Sequence, residues 1–93
     1  MLKVICTVFD SAAGLYLDPF VAPSVDFAIR SFRQAVNTDG HQFNNFPEDY
    51  VLYHVATFSA ETGEIVPLAA PVSLGVAVTL LDRPSIVPSA KEA

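Results

Sequence analysis

Residues 24 to 59 have the sequence SVDFAIRSFRQAVNTDGHQFNNFPEDYVLYHVATFS, in which a helix pattern is followed by a strand pattern. Ser24 is a good helix N-cap, and Asp26 places negative charge at the positive end of the helix dipole. Apolar residues then recur at steps of three and four and form one stripe: Val25, Ala28, Ile29, Phe32, Ala35 and Val36. The residues from Asn37 to Gly40 favour turn geometry and end the pattern. The sequence therefore predicts an amphipathic helix with one buried face.

Strand patterns flank this helix on both sides. Residues 2–9 are rich in β-branched and aromatic side chains and are largely apolar on both faces, which predicts an interior strand covered on both sides. Residues 10–23 predict an ordered connection with a short extended piece at 19–22, and residues 41–49 predict an ordered loop. Residues 50–58 predict a second strand. Thr62 and Gly63 predict a tight turn into a third strand at 64–68, because glycine can supply positive φ.

The last apolar segment is ambiguous between strand and helix. Residues 72–80 alternate large and small side chains, which favours a fourth strand, whereas Leu and Ala would also suit a helix over 73–81. Residues 84–93 lack periodicity and predict an extended or disordered tail. We therefore expect one α+β domain over residues 1–83. It has a small antiparallel sheet of three to four strands with one amphipathic helix packed on one face, in the order β-α-β-β-β.

The composition predicts self-association. Of the 93 residues, 52% are hydrophobic, and the mean hydropathy is +0.41. A small domain has little interior, and one helix covers only one face of a sheet, so some apolar area is expected at an interface. We therefore expect a homo-oligomer that associates through the sheet or its edge.

Charge and targeting patterns indicate a cytoplasmic protein. Ten acidic residues oppose five basic ones, which gives a net charge of -5 and a pI near 4.6, unlike proteins that bind nucleic acid chiefly by counterion release. The apolar region at 65–81 is interrupted by Pro67, Pro71 and Gly75 and is too short to cross a bilayer. The N-terminus lacks a signal-peptide pattern, and the single cysteine, Cys6, cannot form an internal disulfide.

The sequence contains no arrangement typical of catalysis, so we expect a protein that is not an enzyme and needs no metal or cofactor. The spacings of zinc sites and of glycine-rich phosphate loops are missing. His54 has no nucleophile beside it and is interpreted as a structural histidine. The adjacent pair Glu48 and Asp49 does not have the geometry of paired catalytic carboxylates and suits capping or solvation.

Two arginines and several aromatic residues are the candidates for ligand contact. Arg30 and Arg33 lie on the polar side of the predicted helix, where they could meet phosphates or could pair with acids such as Asp26. Aromatic side chains could stack on single-stranded bases or could be core residues. These aromatic residues are Tyr16, Phe20, Phe43, Phe46, Tyr50 and Tyr53.

Short segments of the chain, in their order and spacing, resemble the small nonstructural protein of the gokushoviruses, single-stranded DNA bacteriophages of the microvirus family. The main ones are Ala28-Ile29-Arg30-Ser31-Phe32, Pro47-Glu48-Asp49-Tyr50-x-Leu52-Tyr53 and Phe58-x-x-x-Thr62-Gly63-x-Ile65. Asp10-x-Ala12-Ala13, Pro19-Phe20 and Pro71-Val72-Ser73-Leu74-Gly75 also fit. The resemblance implies a non-enzymatic accessory protein in the cytoplasm of the infected bacterium, with a part in viral single-stranded DNA synthesis or packaging.

Two functional hypotheses follow. The first is an oligomeric module that binds single-stranded DNA, with Arg30, Arg33 and Lys3 at phosphates and Tyr16, Phe20 or Tyr53 as stacking residues. The second is a protein-interaction adaptor that engages phage replication or capsid proteins through its apolar sheet or its tail, without contacting DNA.

Overall fold

The computed structural model describes residues 1–82, so the predicted tail at 84–93 and the predicted domain end at 83 lie outside the described residues. The strands are β1 (Leu2–Asp10), β2 (Leu15–Tyr16), β3 (Phe20–Ala22), β4 (Tyr50–Ser59) and β5 (Ile65–Val76). The helices are α1 (Val25–Val36) and α2 (Gln42–Asn45), with 3-10 turns at Pro47–Asp49 and Ala77–Leu80. The predicted α+β class is confirmed.

All strand pairs are antiparallel, in the order β2-β1-β4-β5, and β3 pairs with β1 on the same side as β2. Strand β1 lies inside the sheet as predicted, because β4 lies on one side of it and β2 and β3 lie on the other. It was also expected to be covered on both faces, but within residues 1–82 a helix covers only one of them. Between β4 and β5, Gly63 has a φ of 78° and donates its N–H to the carbonyl of Ser59 at 2.8 Å. The turn therefore forms where glycine was expected to allow it.

Helix α1 begins and packs as its sequence predicts. The Ser24 hydroxyl accepts the Phe27 N–H at 3.1 Å, and the buried residues of the helix are Ala28, Phe32 and Val36. These side chains join one core with the inward residues of β1 and β4, including Cys6, Val8 and Leu52. The core therefore occupies the α1 side of the sheet.

Two local predictions are wrong. The third and fourth predicted strands are one strand, β5, and residues 77–80 form a 3-10 turn instead of extending a strand or a longer helix. Pro67 and Pro71 are tolerated because β5 is an edge strand, where a missing N–H leaves no ladder partner unsatisfied.

The predicted loop at 41–49 contains the short helix α2 and a 3-10 turn, and the His41 side chain caps α2 by accepting the Phe43 N–H at 3.0 Å. The predicted extended piece at 19–22 corresponds to β3, which adds with β2 to the expected strand count.

Candidate nucleic-acid interface

The side of the sheet that faces away from α1, here called the open face, is predominantly apolar. In β1, Cys6 and Val8 point into the core, so the alternate residues Lys3, Ile5, Thr7 and Phe9 belong to the open face. Residues paired across strands share a face, which extends the open face to every neighbouring strand. It includes Tyr16, Val21, Val51, Tyr53, Ala56, Phe58, Ile65, Pro67, Ser73 and Val76.

Three aromatic rings form a row across one end of the open face, here called the aromatic row: Phe9, Tyr16 and Tyr53. The ring centroids of Phe9 and Tyr16 are 4.8 Å apart, and those of Tyr16 and Tyr53 are 5.9 Å apart. Tyr16 remains 51% exposed, and Tyr53 is half-buried. The row therefore presents aromatic surface to solvent at a place where no described element covers it.

Backbone and hydroxyl contacts hold the aromatic row in position. The Thr7 hydroxyl donates to the carbonyl of Leu17 at 2.6 Å, and the Leu17 N–H donates to the carbonyl of Val8 at 2.8 Å. These two bonds tie the chain just after Tyr16 to β1. Since Phe9 pairs directly with Tyr16, the ring of Tyr16 is fixed over the sheet instead of on a free loop.

Lys3 lies on the open face but at its opposite end. It pairs with Phe58 near the β4–β5 turn, six residues along β1 from Phe9. At about 3.3 Å per residue, that separation is roughly 20 Å. Lys3 is the one charged residue among the open-face positions, so the aromatic row has no cation directly beside it.

The two arginines lie on α1, on the other side of the sheet. The guanidinium of Arg33 donates to one carboxylate oxygen of Asp82 at 3.1 Å and 2.6 Å. Arg30 makes no ion pair within residues 1–82, and the pairing of either arginine with Asp26 is absent from that part of the chain. Both line a shallow groove of about 430 Å³ together with Gln34, Asn37, Thr38 and Asp82.

The six predicted contact residues are therefore not brought onto one surface. Lys3, Tyr16 and Tyr53 lie on the open face, whereas Arg30 and Arg33 lie on the helix. Phe20 pairs with Cys6 and packs half-buried against the core on the α1 side, a position that favours the core interpretation of this ring. Phe43 and Tyr50 are also core residues, with ring centroids 4.6 Å apart.

Sequence reasoning missed two residues of this region. Phe9 belongs to the aromatic row, and the alternation Lys3, Ile5, Thr7, Phe9 in β1 was the signal that could have placed it there. Asn37 does more than end α1, because its side-chain amide donates to the carbonyl of Leu80 at 3.0 Å and accepts the Asp82 N–H at 2.8 Å. No local pattern signals this contact, since the partners are more than 40 residues apart.

Of the polar residues considered for catalysis, His54 makes a side-chain contact and Asp49 makes contacts through its backbone carbonyl. Nε2 of His54 donates to the carbonyl of Ala56 at 3.0 Å, and the carbonyl of Asp49 accepts both the N–H and the hydroxyl of Ser11, at 2.8 Å and 3.0 Å. Burial raises the pKa of the Tyr50 hydroxyl, and the nearby charges of Asp10 and Asp49 raise it further. Within residues 1–82, acidic, histidine and cysteine side chains do not gather in groups of three or more that could hold a metal ion.

Comparison with known proteins identifies the family of this chain. No curated protein and no solved structure matches it. Across the part of the chain that the structure describes, no helix has the length and apolar composition needed to cross a membrane. The family described as Phage ORF5 protein matches residues 3–80, which include every strand and helix described above except the first residue of β1, Leu2. This chain belongs to the Phage ORF5 protein family and is a phage protein.

Proposed function

We propose that this phage accessory protein binds single-stranded DNA through the aromatic row on its open face, without catalysis, in the cytoplasm of the infected bacterium. The observation that carries the proposal is the position of Phe9, Tyr16 and Tyr53, three neighbouring rings on the open face, of which Tyr16 is 51% exposed. Sequence-tolerant single-strand binders stack bases on such aromatic side chains. The resemblance to gokushovirus nonstructural proteins points to the same class of ligand.

Stacking, not phosphate neutralisation, provides most of the proposed affinity. The open face has Lys3 as its one cation, and the chain has a net charge of -5. Each base stacked on an aromatic ring contributes about 1–3 kcal/mol, as judged by alanine substitution. Unpaired bases expose the ring faces that stacking requires, whereas a duplex keeps them covered, so we expect single strands to bind better than duplexes.

The test of the stacking contact is fluorescence anisotropy of a labelled oligothymidine with wild-type protein and with the double variant Tyr16→Ala, Tyr53→Ala. We expect the double variant to bind about 30-fold more weakly or worse. The matched control is Phe46→Ala, because Phe46 is an aromatic residue that is 58% exposed but lies outside the open face. Equal affinity of the double variant and the wild type would refute the proposal.

The salt dependence of binding tests whether Arg30 and Arg33, which lie away from the aromatic row, contact the phosphates of the bound strand. For single strands, the slope of log K against log salt is about -0.7 for each phosphate contact. One contact from Lys3 therefore predicts a slope of about -0.7 per protomer, and the added contacts of Arg30 and Arg33 would steepen it to about -2. We expect the shallow slope, with no loss of affinity in the variant Arg30→Ala, Arg33→Ala.

The second candidate function is a protein-interaction adaptor for phage replication or capsid assembly. Its specific support is the exposed apolar surface of β5, which is described below and which has neither a cation nor an aromatic ring for DNA. An adaptor would show no oligonucleotide binding at low salt and would retain a purified phage replication or capsid protein at high salt. That pair of results would replace the DNA proposal.

A further inference from the structure

Strand β5 is an apolar element that the described fold leaves uncovered. No residue from 57 to 76 is buried, although residues 65–81 contain no charged side chain. Ile65 is 59% exposed, Val66 is 47% exposed and Val72 is 50% exposed. Ile65 pairs on the open face, whereas Val72 pairs with His54 on the α1 side, so both faces of the strand present apolar surface. Edge strands of this length without charge are usually covered by another element or chain.

The backbone of β5 is poorly suited to continuous strand-to-strand pairing. Its register with β4 jumps from the pair His54 and Val72 to the pair Ala56 and Pro67, so residues 68–71 face Val55 alone. Pro67 and Pro71 also remove two N–H donors. These features block simple extension of the sheet, so a partner would pack mainly against the side chains.

We propose that a second copy of this chain covers β5 in a two-fold symmetric dimer whose axis passes near the middle of the strand. A two-fold interface requires a surface that complements itself, and an uncharged apolar strand meets this requirement without matched charges. Single-stranded DNA does not suit the strand, because β5 has no Lys, Arg or aromatic residue.

The size of the surface suits a small, weak dimer interface. A strand of 12 residues is about 40 Å long, and a strip about 10 Å wide along it has a flat area of roughly 400 Å² per copy. Two copies thus bury roughly 800 Å² when the strips are treated as flat, which is below the roughly 1,000 Å² at which specific interfaces begin, so we expect a weak dimer. The other edge of the sheet, formed by the two-residue β2 and the three-residue β3, offers much less.

Light scattering during size exclusion tests the dimer with the full chain and without DNA. We expect the mass of two chains for the wild type at micromolar concentration and of one chain for the double variant Val66→Glu, Val72→Glu. The matched control is Val21→Glu, because Val21 is 53% exposed but lies on β3 at the opposite edge, and this variant should remain a dimer. A monomeric wild type, a dimeric double variant or a monomeric Val21→Glu variant would each overturn the assignment.

A cysteine variant tests the same interface without adding charge. Ala70 lies at the middle of β5, close to the proposed axis, so Ala70→Cys should be joined to its counterpart by a short thiol-specific cross-linker. Ala13→Cys, on an exposed loop, should stay uncross-linked, and the native Cys6 is fully buried. Failure of Ala70→Cys to cross-link more than Ala13→Cys would contradict the proposed axis. Neither measurement depends on what the open face binds, so the dimer and the DNA proposal can fail separately.

Discussion

At the scale of single residues, Asn37 and Arg33 contribute differently to stability, although both contact the chain near Asp82. The ion pair of Arg33 with Asp82 is more than half exposed at both side chains, so its contribution to stability is small. Asn37 instead donates to the carbonyls of Arg33 and Leu80 and accepts the Asp82 N–H. The amide therefore joins the end of α1 to residues 80–82.

Replacement of Asn37 by alanine should lower the free energy of unfolding by about 1–2 kcal/mol, because the carbonyl of Leu80 and the N–H of Asp82 lose their side-chain partner. Urea unfolding followed by circular dichroism measures this change. Thr38→Ala is the control, since the Thr38 hydroxyl donates to the carbonyl of Gln34, a local partner four residues earlier. We expect Thr38→Ala to cost less than half as much, and equal costs would argue against a tertiary role for Asn37.

The buried thiol of Cys6 predicts a loss of stability in alkaline solution. Burial raises the pKa of this thiol above its ordinary value of 9.0, so the unfolded chain loses the proton first as the pH rises. The buried, protonated thiol makes its full contribution to the free energy of unfolding below about pH 9. This contribution is lost as the pH rises through the pKa of the folded state. Urea midpoints at pH 8, 9 and 10 should fall for the wild type and fall less for Cys6→Ala. Parallel curves for the two proteins would contradict this assignment.

At the scale of elements, α1 was predictable and β5 was not. The stripe that begins Val25, Ala28, Ile29 and Phe32 specifies a helix with one buried face, because its steps of three would place successive apolar residues on opposite faces of a strand. In β5 the alternation is interrupted by Pro67 and Pro71, which argue against a strand in a central position. Only the edge location of β5, which depends on pairing with β4, makes those prolines acceptable.

Alanine variants of two phenylalanines on α1 show how much packing against the core contributes to stability. Phe32 is 4% exposed and lies 5.3 Å from the ring of Phe43, whereas Phe27 is 48% exposed. Phe32→Ala should cost about 3–5 kcal/mol of unfolding free energy by removing a core ring. Phe27→Ala should cost less than about 1 kcal/mol in the same urea titration. Similar costs would mean that the helix does not pack through the predicted stripe.

At the scale of the whole molecule, the two proposed surfaces are separate. The aromatic row lies over β1, β2 and β4, and the proposed dimer contact lies along β5. Tyr53 pairs with Ser73 of β5 and borders the dimer contact, whereas Tyr16 on β2 lies farthest from β5, so we expect the dimer to keep both Tyr16 rings exposed. The arginines on α1 belong to neither surface.

Association through β5 makes stability depend on protein concentration. If folding and dimer formation are linked, each tenfold increase in chain concentration should raise the apparent stability by about 1.4 kcal/mol per dimer. Urea midpoints measured from 1 to 100 µM should rise for the wild type and stay constant for Val66→Glu, Val72→Glu. A constant wild-type midpoint would indicate a monomer over this range.

The sequence by itself determined the α+β class, the bounds and buried stripe of α1, the interior position of β1 and the turn at Gly63, because each depends on local periodicity or on backbone geometry. The tertiary structure decided which side chains share a surface. Strand register placed Phe9 and Tyr16 beside Tyr53 and packed Phe20 against the core, and the return of the chain to α1 paired Arg33 with Asp82. Register and long-range pairing depend on contacts between residues distant in sequence, so no local pattern contains them.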